Sequence, residues 1–220
     1  MLHQNQHLFG HINTNCSDSI ETGSEETSSR LMNNFLFCII NQYRYPSLDI
    51  FMNVGTVLGN FFNMFWVLPL FLVAGLFFPM RKIAIPGFRK IQISEIVFLL
   101  LVGYIITGIL VTVLKFGLHM PRPSVVFGSY VVHSWEIPDS PYSFPSGHSA
   151  FAMLIAATFW MRTNKIMLKA ILLIYIVWVG LSRINLGMHF PFDVVSGFAI
   201  GAFSAWLANN VLFSLKKRYL

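Results

Sequence analysis

Three short groups of residues carry almost all of the chemistry this sequence can offer. The first is Lys115 with Arg122-Pro123, the second Pro145-Ser146-Gly147-His148, and the third Ser182-Arg183 with His189 and Asp193 downstream. Lys115, Arg122 and Arg183 are permanent cations accompanied by one carboxylate, and such an excess calls for an anion. Ser146-Gly147-His148 reads as a helix start, where unpaired N–H groups and the positive end of the helix dipole bind phosphate oxygens. Ser146 can cap that helix or donate to the anion. A second helix is expected from Pro191, a favoured first position, so Asp193, four residues beyond His189, can reach back to its imidazole. A carboxylate that accepts from one ring nitrogen fixes the tautomer and leaves the other nitrogen's lone pair free to attack.

These residues need a scaffold, and the composition says of what kind. The chain has 220 residues, 55% hydrophobic and 11% charged, which excludes disorder and is too apolar for an ordinary soluble domain. Its apolar residues come in long runs nearly free of charge, so the solvent is a bilayer. A charge inside hydrocarbon costs about 2.5 to 3.5 kcal/mol or more. Snorkelling at a span end accounts for Lys115 or Arg183 alone, but not for two histidines and a glycine turn at the same level. The net charge of +6 would suggest nucleic acid in a soluble protein. Here the cations flank apolar runs and act as topology signals, and no nucleic-acid partner is expected.

The expected fold is all-α: a polytopic membrane protein, a helical bundle of about five transmembrane helices with interfacial helices at its N-terminal side. Residues 1–30 are polar, lack the pattern of a signal peptide, and are expected to be a disordered tail before a single transmembrane domain over 31–220. Leu31 to Tyr45 is too short and too polar to span, so an interfacial helix is expected there, ended by Pro46. A shallow helix over about 48–60 then leads into spans over about 61–79, 95–116, 146–160, 166–182 and 191–213, each sized against a hydrocarbon core of about 30 Å. The three reactive groups all fall where a span meets one surface, so a bundle brings them into one layer. Ten of the fifteen Lys and Arg lie in the loops at 81–90 and 162–169 and in the tail at 216–218. Those ends are expected in the cytoplasm, with the C-terminus, and the reactive layer faces the periplasm or exterior.

The remaining candidates carry less. His3, His7 and His11 share a helical face, but no carboxylate or cysteine completes a metal set, and no metal or cofactor is expected. Asn15-Cys16-Ser17 matches a glycosylation sequon. Cys16 and Cys38 make a poor disulfide framework. His119 and His133 have no carboxylate partner and receive no role, and Trp135 and Glu136 read as interface residues. The apolar stretch Val125 to Val132 is expected to cover helix ends rather than to form a lid.

Taken together, Lys115-x6-Arg122-Pro123, Pro145-Ser146-Gly147-His148 and Ser182-Arg183-x5-His189-x3-Asp193 resemble the three signatures of the type 2 phosphatidic acid phosphatase (PAP2) superfamily. They occur in order and without a departure, and the resemblance covers about residues 45 to 213. It implies a metal-independent membrane phosphatase in which His189 attacks phosphorus and becomes a phosphohistidine while Asp193 orients it. His148 would protonate the leaving oxygen and later activate water. Lys115, Arg122 and Arg183 would hold the phosphoryl oxygens, with Ser146, Gly147 and Ser182 adding hydrogen bonds.

The favoured substrate is undecaprenyl diphosphate at the outer face of a bacterial cell membrane. Phosphatidylglycerophosphate, phosphatidate and lipid A phosphates are alternatives that present a phosphate at the same depth. The other partners expected are membrane lipids, and no obligatory protein partner is inferred. A phosphotransferase, in which a lipid or sugar hydroxyl captures the phosphohistidine, would use the same signatures. A non-enzymatic lipid carrier would show repeat symmetry or broken helices at mid-bilayer, and neither is evident.

Overall fold

The computed structural model of the chain describes residues 28–43, 45–66, 69–70, 73, 82–83, 91–131 and 140–219. Helix α1 covers Ser28–Gln42 and α2 Pro46–Leu58, and a 3₁₀ turn follows over Phe61–Asn63. The expected leading helix is therefore α2. Most of the first span expected at 61–79 lies outside the described residues, as do the whole segment 1–27 with its histidines, and His133, Trp135 and Glu136. Two-residue strands β1, Lys82–Ile83, and β2, Ile91–Gln92, pair antiparallel beside the basic loop. Among the described residues this ladder is the one element outside the all-α expectation.

The spans downstream fall where they were expected. Helix α3 runs over Ile93–Leu118, a five-residue α4 over Pro123–Phe127, α5 over Gly147–Trp160, α6 over Ile166–Asn185 and α7 over Pro191–Tyr219. Within them Ser94–Leu118, Ile166–Asn185 and Pro191–Arg218 are long and apolar enough to cross a membrane. Helix α5 is apolar but has only 14 residues, about 21 Å of rise. The outer surface of the long helices explains their composition. Leu101, Ile105, Ile109 and Val113 repeat every four residues along α3 and are exposed, as a lipid-facing stripe must be.

Helix α5 sits at the centre, and its largest interface is with α7. Sequence explains the closeness: a Cβ at Gly201 would come 2.1 Å from Ala150 O, and one at Gly197 2.4 Å from Ser146 O. Small residues four apart let two backbones touch where lipid gives no hydrophobic push between helices. The contact brings the first turn of α7, with Asp193, against the first turn of α5, where Ser146 N donates to Asp193 O at 3.0 Å. Helix α3 packs on the same α5–α7 pair, and α2 lies along α6.

Helix α1 departs from a simple interfacial anchor. Met32, Phe35, Leu36 and Ile39 are exposed, while Asn34, Phe37, Cys38 and Asn41 are buried against the bundle. Cys38 is disulfide-bonded, which corrects the expectation that the two cysteines make a poor disulfide framework. Phe127 and Val131 join Phe37 and Phe190 in one buried cluster, while Val125 and Val126 of the same stretch are exposed.

Candidate active site

Six of the nine residues singled out in the sequence line one cavity of about 250 Å³: Lys115, Arg122, Gly147, His148, Arg183 and His189. They come from α3, the turn before α4, the start of α5, the end of α6 and the segment between α6 and α7. Ser146, Ser182 and Asp193 do not line it. They are buried behind it, with Ser146 and Ser182 at 0% exposure and Asp193 at 3%.

Each of these three has a structural bond that explains its place. Ser146 is the N-cap of α5, accepting from Ser149 N at 3.4 Å and from Ser149 Oγ at 2.9 Å. Ser182 donates to Val179 O at 2.7 Å, a back-bond into its own helix. Asp193 Oδ2 accepts from Phe190 N at 2.9 Å.

Both arginines donate to neutral oxygens among the described residues. Arg122 donates from Nε to Ser140 O at 2.7 Å and from Nη1 to Met188 O at 2.9 Å. Arg183 donates from Nη1 to Thr56 Oγ1 at 2.8 Å. Lys115 Nζ donates to Tyr142 O at 3.4 Å. Carbonyl and hydroxyl acceptors help to fix the direction in which each guanidinium points.

His189 follows a tight turn after α6, where Met188 N and His189 N both donate to Arg183 O, at 3.0 and 3.2 Å. Its Nδ1 lies 3.6 Å from Asp193 Oδ2, close enough for charge interaction but longer than a hydrogen bond. Ser143 stands between them. Its Oγ donates to Asp193 Oδ2 at 2.5 Å and lies 3.3 Å from His189 Nδ1. Burial, followed by the charges of Arg122, Arg183 and Lys115, holds the His189 pKa well below the ordinary histidine range and the ring neutral, opposed by a hydrogen bond that the ring donates to the Ser143 backbone carbonyl. A neutral ring is the form with a free lone pair.

Ser143 and Thr56 were missed in the sequence. Ser143 stands three residues before Ser146, in line with the turn that leads to His148. Thr56 follows Gly55, whose hypothetical Cβ would come 2.8 Å from Trp178 Nε1, so the close packing of α2 on α6 is what carries the hydroxyl to Arg183. His119 lies outside the cavity, exposed and edge-on to Tyr142.

A helical membrane protein whose cavity joins two histidines to three cations is the class that fold and site define. The chain belongs to the PAP2 superfamily, whose family model matches residues 96–217. It is similar to Phosphatidylglycerophosphatase B of Haemophilus influenzae, 35% identical over 98 residues, 41% of this chain and 39% of that protein. It also resembles Undecaprenyl-diphosphatase of Sulfolobus acidocaldarius, 30% identical over 56% of each chain. Lipid A 1-phosphatase of Rhizobium johnstonii is 27% identical over 70% of this chain and 65% of its own length. The matches thus span between about two fifths and two thirds of these curated relatives. Two crystal structures share the fold. LpxE of Aquifex aeolicus has a TM-score of 0.64 at 31% identity, covering 81% of this chain and 95% of that one. The transmembrane PAP2 type phosphatidylglycerolphosphate phosphatase of Bacillus subtilis has a TM-score of 0.64 at 25% identity, covering 90% and 92%.

Proposed function

We propose that this protein is an integral-membrane lipid phosphatase working through a phosphohistidine at His189. The observation that carries the proposal is the cavity itself: Lys115, Arg122 and Arg183 converge with His148 and His189 in one space. Phosphoryl transfer needs mainly positioning and charge stabilisation. The three cations hold the phosphoryl oxygens, and the start of α5 at Gly147 offers backbone N–H groups to the same group. The free ring nitrogen of His189 attacks phosphorus, and the bond from phosphorus to the lipid oxygen breaks. His148 gives that oxygen its proton, then takes one from a water that attacks phosphorus, and the P–N bond breaks to return the lone pair to His189 and release inorganic phosphate. Asp193 and Ser143 hold the other nitrogen of His189, and Thr56 holds Arg183. Ser146 and Ser182 serve the site as supports.

The substrate class follows from the setting, a phosphate read at the membrane surface while its hydrocarbon stays in the bilayer. Relatives named for phosphatidylglycerophosphate, undecaprenyl diphosphate and lipid A agree on that class and differ in the lipid. Undecaprenyl diphosphate is the substrate we favour, because the distribution of basic residues favours a catalytic layer at the outer leaflet, where a spent lipid diphosphate is left by polymer assembly. A panel of phosphatidate, phosphatidylglycerophosphate, lipid A and undecaprenyl diphosphate, each with and without EDTA and scored by phosphate release, tests the proposal. Release without added acceptor and unaffected by EDTA is expected. Strict dependence on Mg²⁺, or no release until a hydroxyl acceptor is supplied, would overturn it. Orientation has its own test in intact cells: Ser129→Cys should react with an impermeant maleimide and Lys216→Cys should not.

A further inference from the structure

Helix α1 precedes the stretch that the family model covers, yet it is tied to both ends of the segment that carries His189. At the end nearer α6, Asn185 Nδ2 donates to Ile40 O and Tyr43 O, each at 2.9 Å, and Asn41 Nδ2 donates to Asn185 O at 2.8 Å. At the α7 end, Phe192 N donates to Asn33 Oδ1 at 2.9 Å. Between them the Phe37 ring lies 5.3 Å from that of Phe190, the neighbour of His189, and stacks at 5.8 Å and 3° on Phe127. Phe127 ends α4, whose N-cap is Arg122. One helix therefore holds the histidine segment and the Arg122 turn together.

The bonds are of a kind that fixes position. The last carbonyls of a helix and the first N–H groups of the next have no partner within their own helices, and here α1 and the catalytic segment satisfy each other's. Asn41 and Asn185 are each 2% exposed, so water cannot replace a lost bond without opening the contact. An anchor needs only the exposed apolar face of α1. It does not need three asparagines and a fully buried phenylalanine turned towards the bundle.

We propose that α1 is a brace for segment 186–190, with Asn185 and Phe37 as positioning residues that set where the His189 ring stands. This rests on reading His189 as the nucleophile. A reacting atom displaced by a fraction of an ångström slows the chemical step more than it weakens binding, since a misplacement of about 1 Å can cost about 100-fold.

The test is steady-state kinetics of the full-length protein in detergent, with short-chain phosphatidate as substrate. Asn185→Ala and Asn41→Ala should each lower kcat about tenfold with KM within about twofold, and the double variant should be no slower than Asn185→Ala, because both residues close one contact. Asn33→Ala, at a partly exposed site that will not compromise folding, should lower kcat by about two- to threefold. Unchanged kcat in Asn185→Ala or in Asn33→Ala, or a rise in KM at constant kcat, would overturn the brace while leaving the phosphatase intact if His189→Ala is inactive. Failure of the wild-type protein to release phosphate from any lipid would instead overturn the function on which the brace rests.

Discussion

The two ends of the bundle use the same residue types in opposite ways. At the tail end Lys216 meets Glu95 at 2.5 Å, with side chains 41% and 21% exposed, and Arg162 Nη2 donates to Asn209 Oδ1 at 2.9 Å. At the cavity end Arg122 and Arg183 are 5% and 3% exposed, and they donate to carbonyls and a hydroxyl. An exposed pair in high dielectric contributes at most about 1 kcal/mol and constrains little. Buried guanidiniums gathered at one cavity act in a lower dielectric, where an anion feels them far more strongly. The difference teaches that position in the membrane, more than residue type, separates a topology signal from a ligand site.

The comparison can be broken in several places, starting with the largest effect. His148→Ala removes the group assigned to proton transfer and should lower kcat by about 10² to 10⁴, with the protein still inserted; near-normal turnover would remove His148 from the mechanism. Arg183→Lys keeps a charge but loses the planar fork. With one charge-assisted hydrogen bond contributing about 1.5 to 3 kcal/mol, kcat/KM should fall by roughly 10- to 100-fold. Ser143→Ala leaves Asp193 with Phe190 N as its recorded donor and should cost about three- to tenfold. Thr56→Val should cost less, a few-fold, and Thr56→Ser should restore it. Lys216→Ala, at the opposite end, should leave kcat/KM unchanged within twofold, since surface pairs contribute so little. An effect there as large as at Arg183 would erase the distinction between the two ends.

The neutral state of His189 gives the comparison a pH signature. Its folded value lies below 6.5, the ordinary value it takes in the unfolded chain, so the unfolded state binds its proton first as pH falls. Stability is thus fully present above about pH 6.5 and declines on acidification through that window. The acidic limb of kcat/KM, which reports the free enzyme, should also lie below pH 6.5, and a limb at or above that value would mean that the ring is not shielded as described.

Much of this was legible before any coordinates. Apolar runs gave α3, α6 and α7 to within about six residues at their ends, because bilayer thickness sets span length whatever the packing. Five of the six cavity-lining residues named from the sequence were legible because buried charges and paired histidines are costly unless used, and Gly147 because it opens a helix beside one of them. Ser143, Thr56 and Asn185 were not, since a serine, a threonine or an asparagine costs little anywhere in the chain and acquires its meaning from a neighbour brought close by packing. Asn185 lies 144 residues from Asn41, a separation that no local pattern reports. The role of α1 was hidden for the same reason: its composition fits an interfacial helix, and only the buried face shows what it holds.

The central claim is a covalent bond between phosphorus and His189, and trapping it is the most direct measurement. Purified protein mixed with a lipid phosphate, quenched in alkali where phosphohistidine survives, digested and sequenced by mass spectrometry should carry the phosphoryl group on His189, with none in His189→Ala. A phosphoryl group on His148 or on a serine, or full turnover by His189→Ala, would contradict the account.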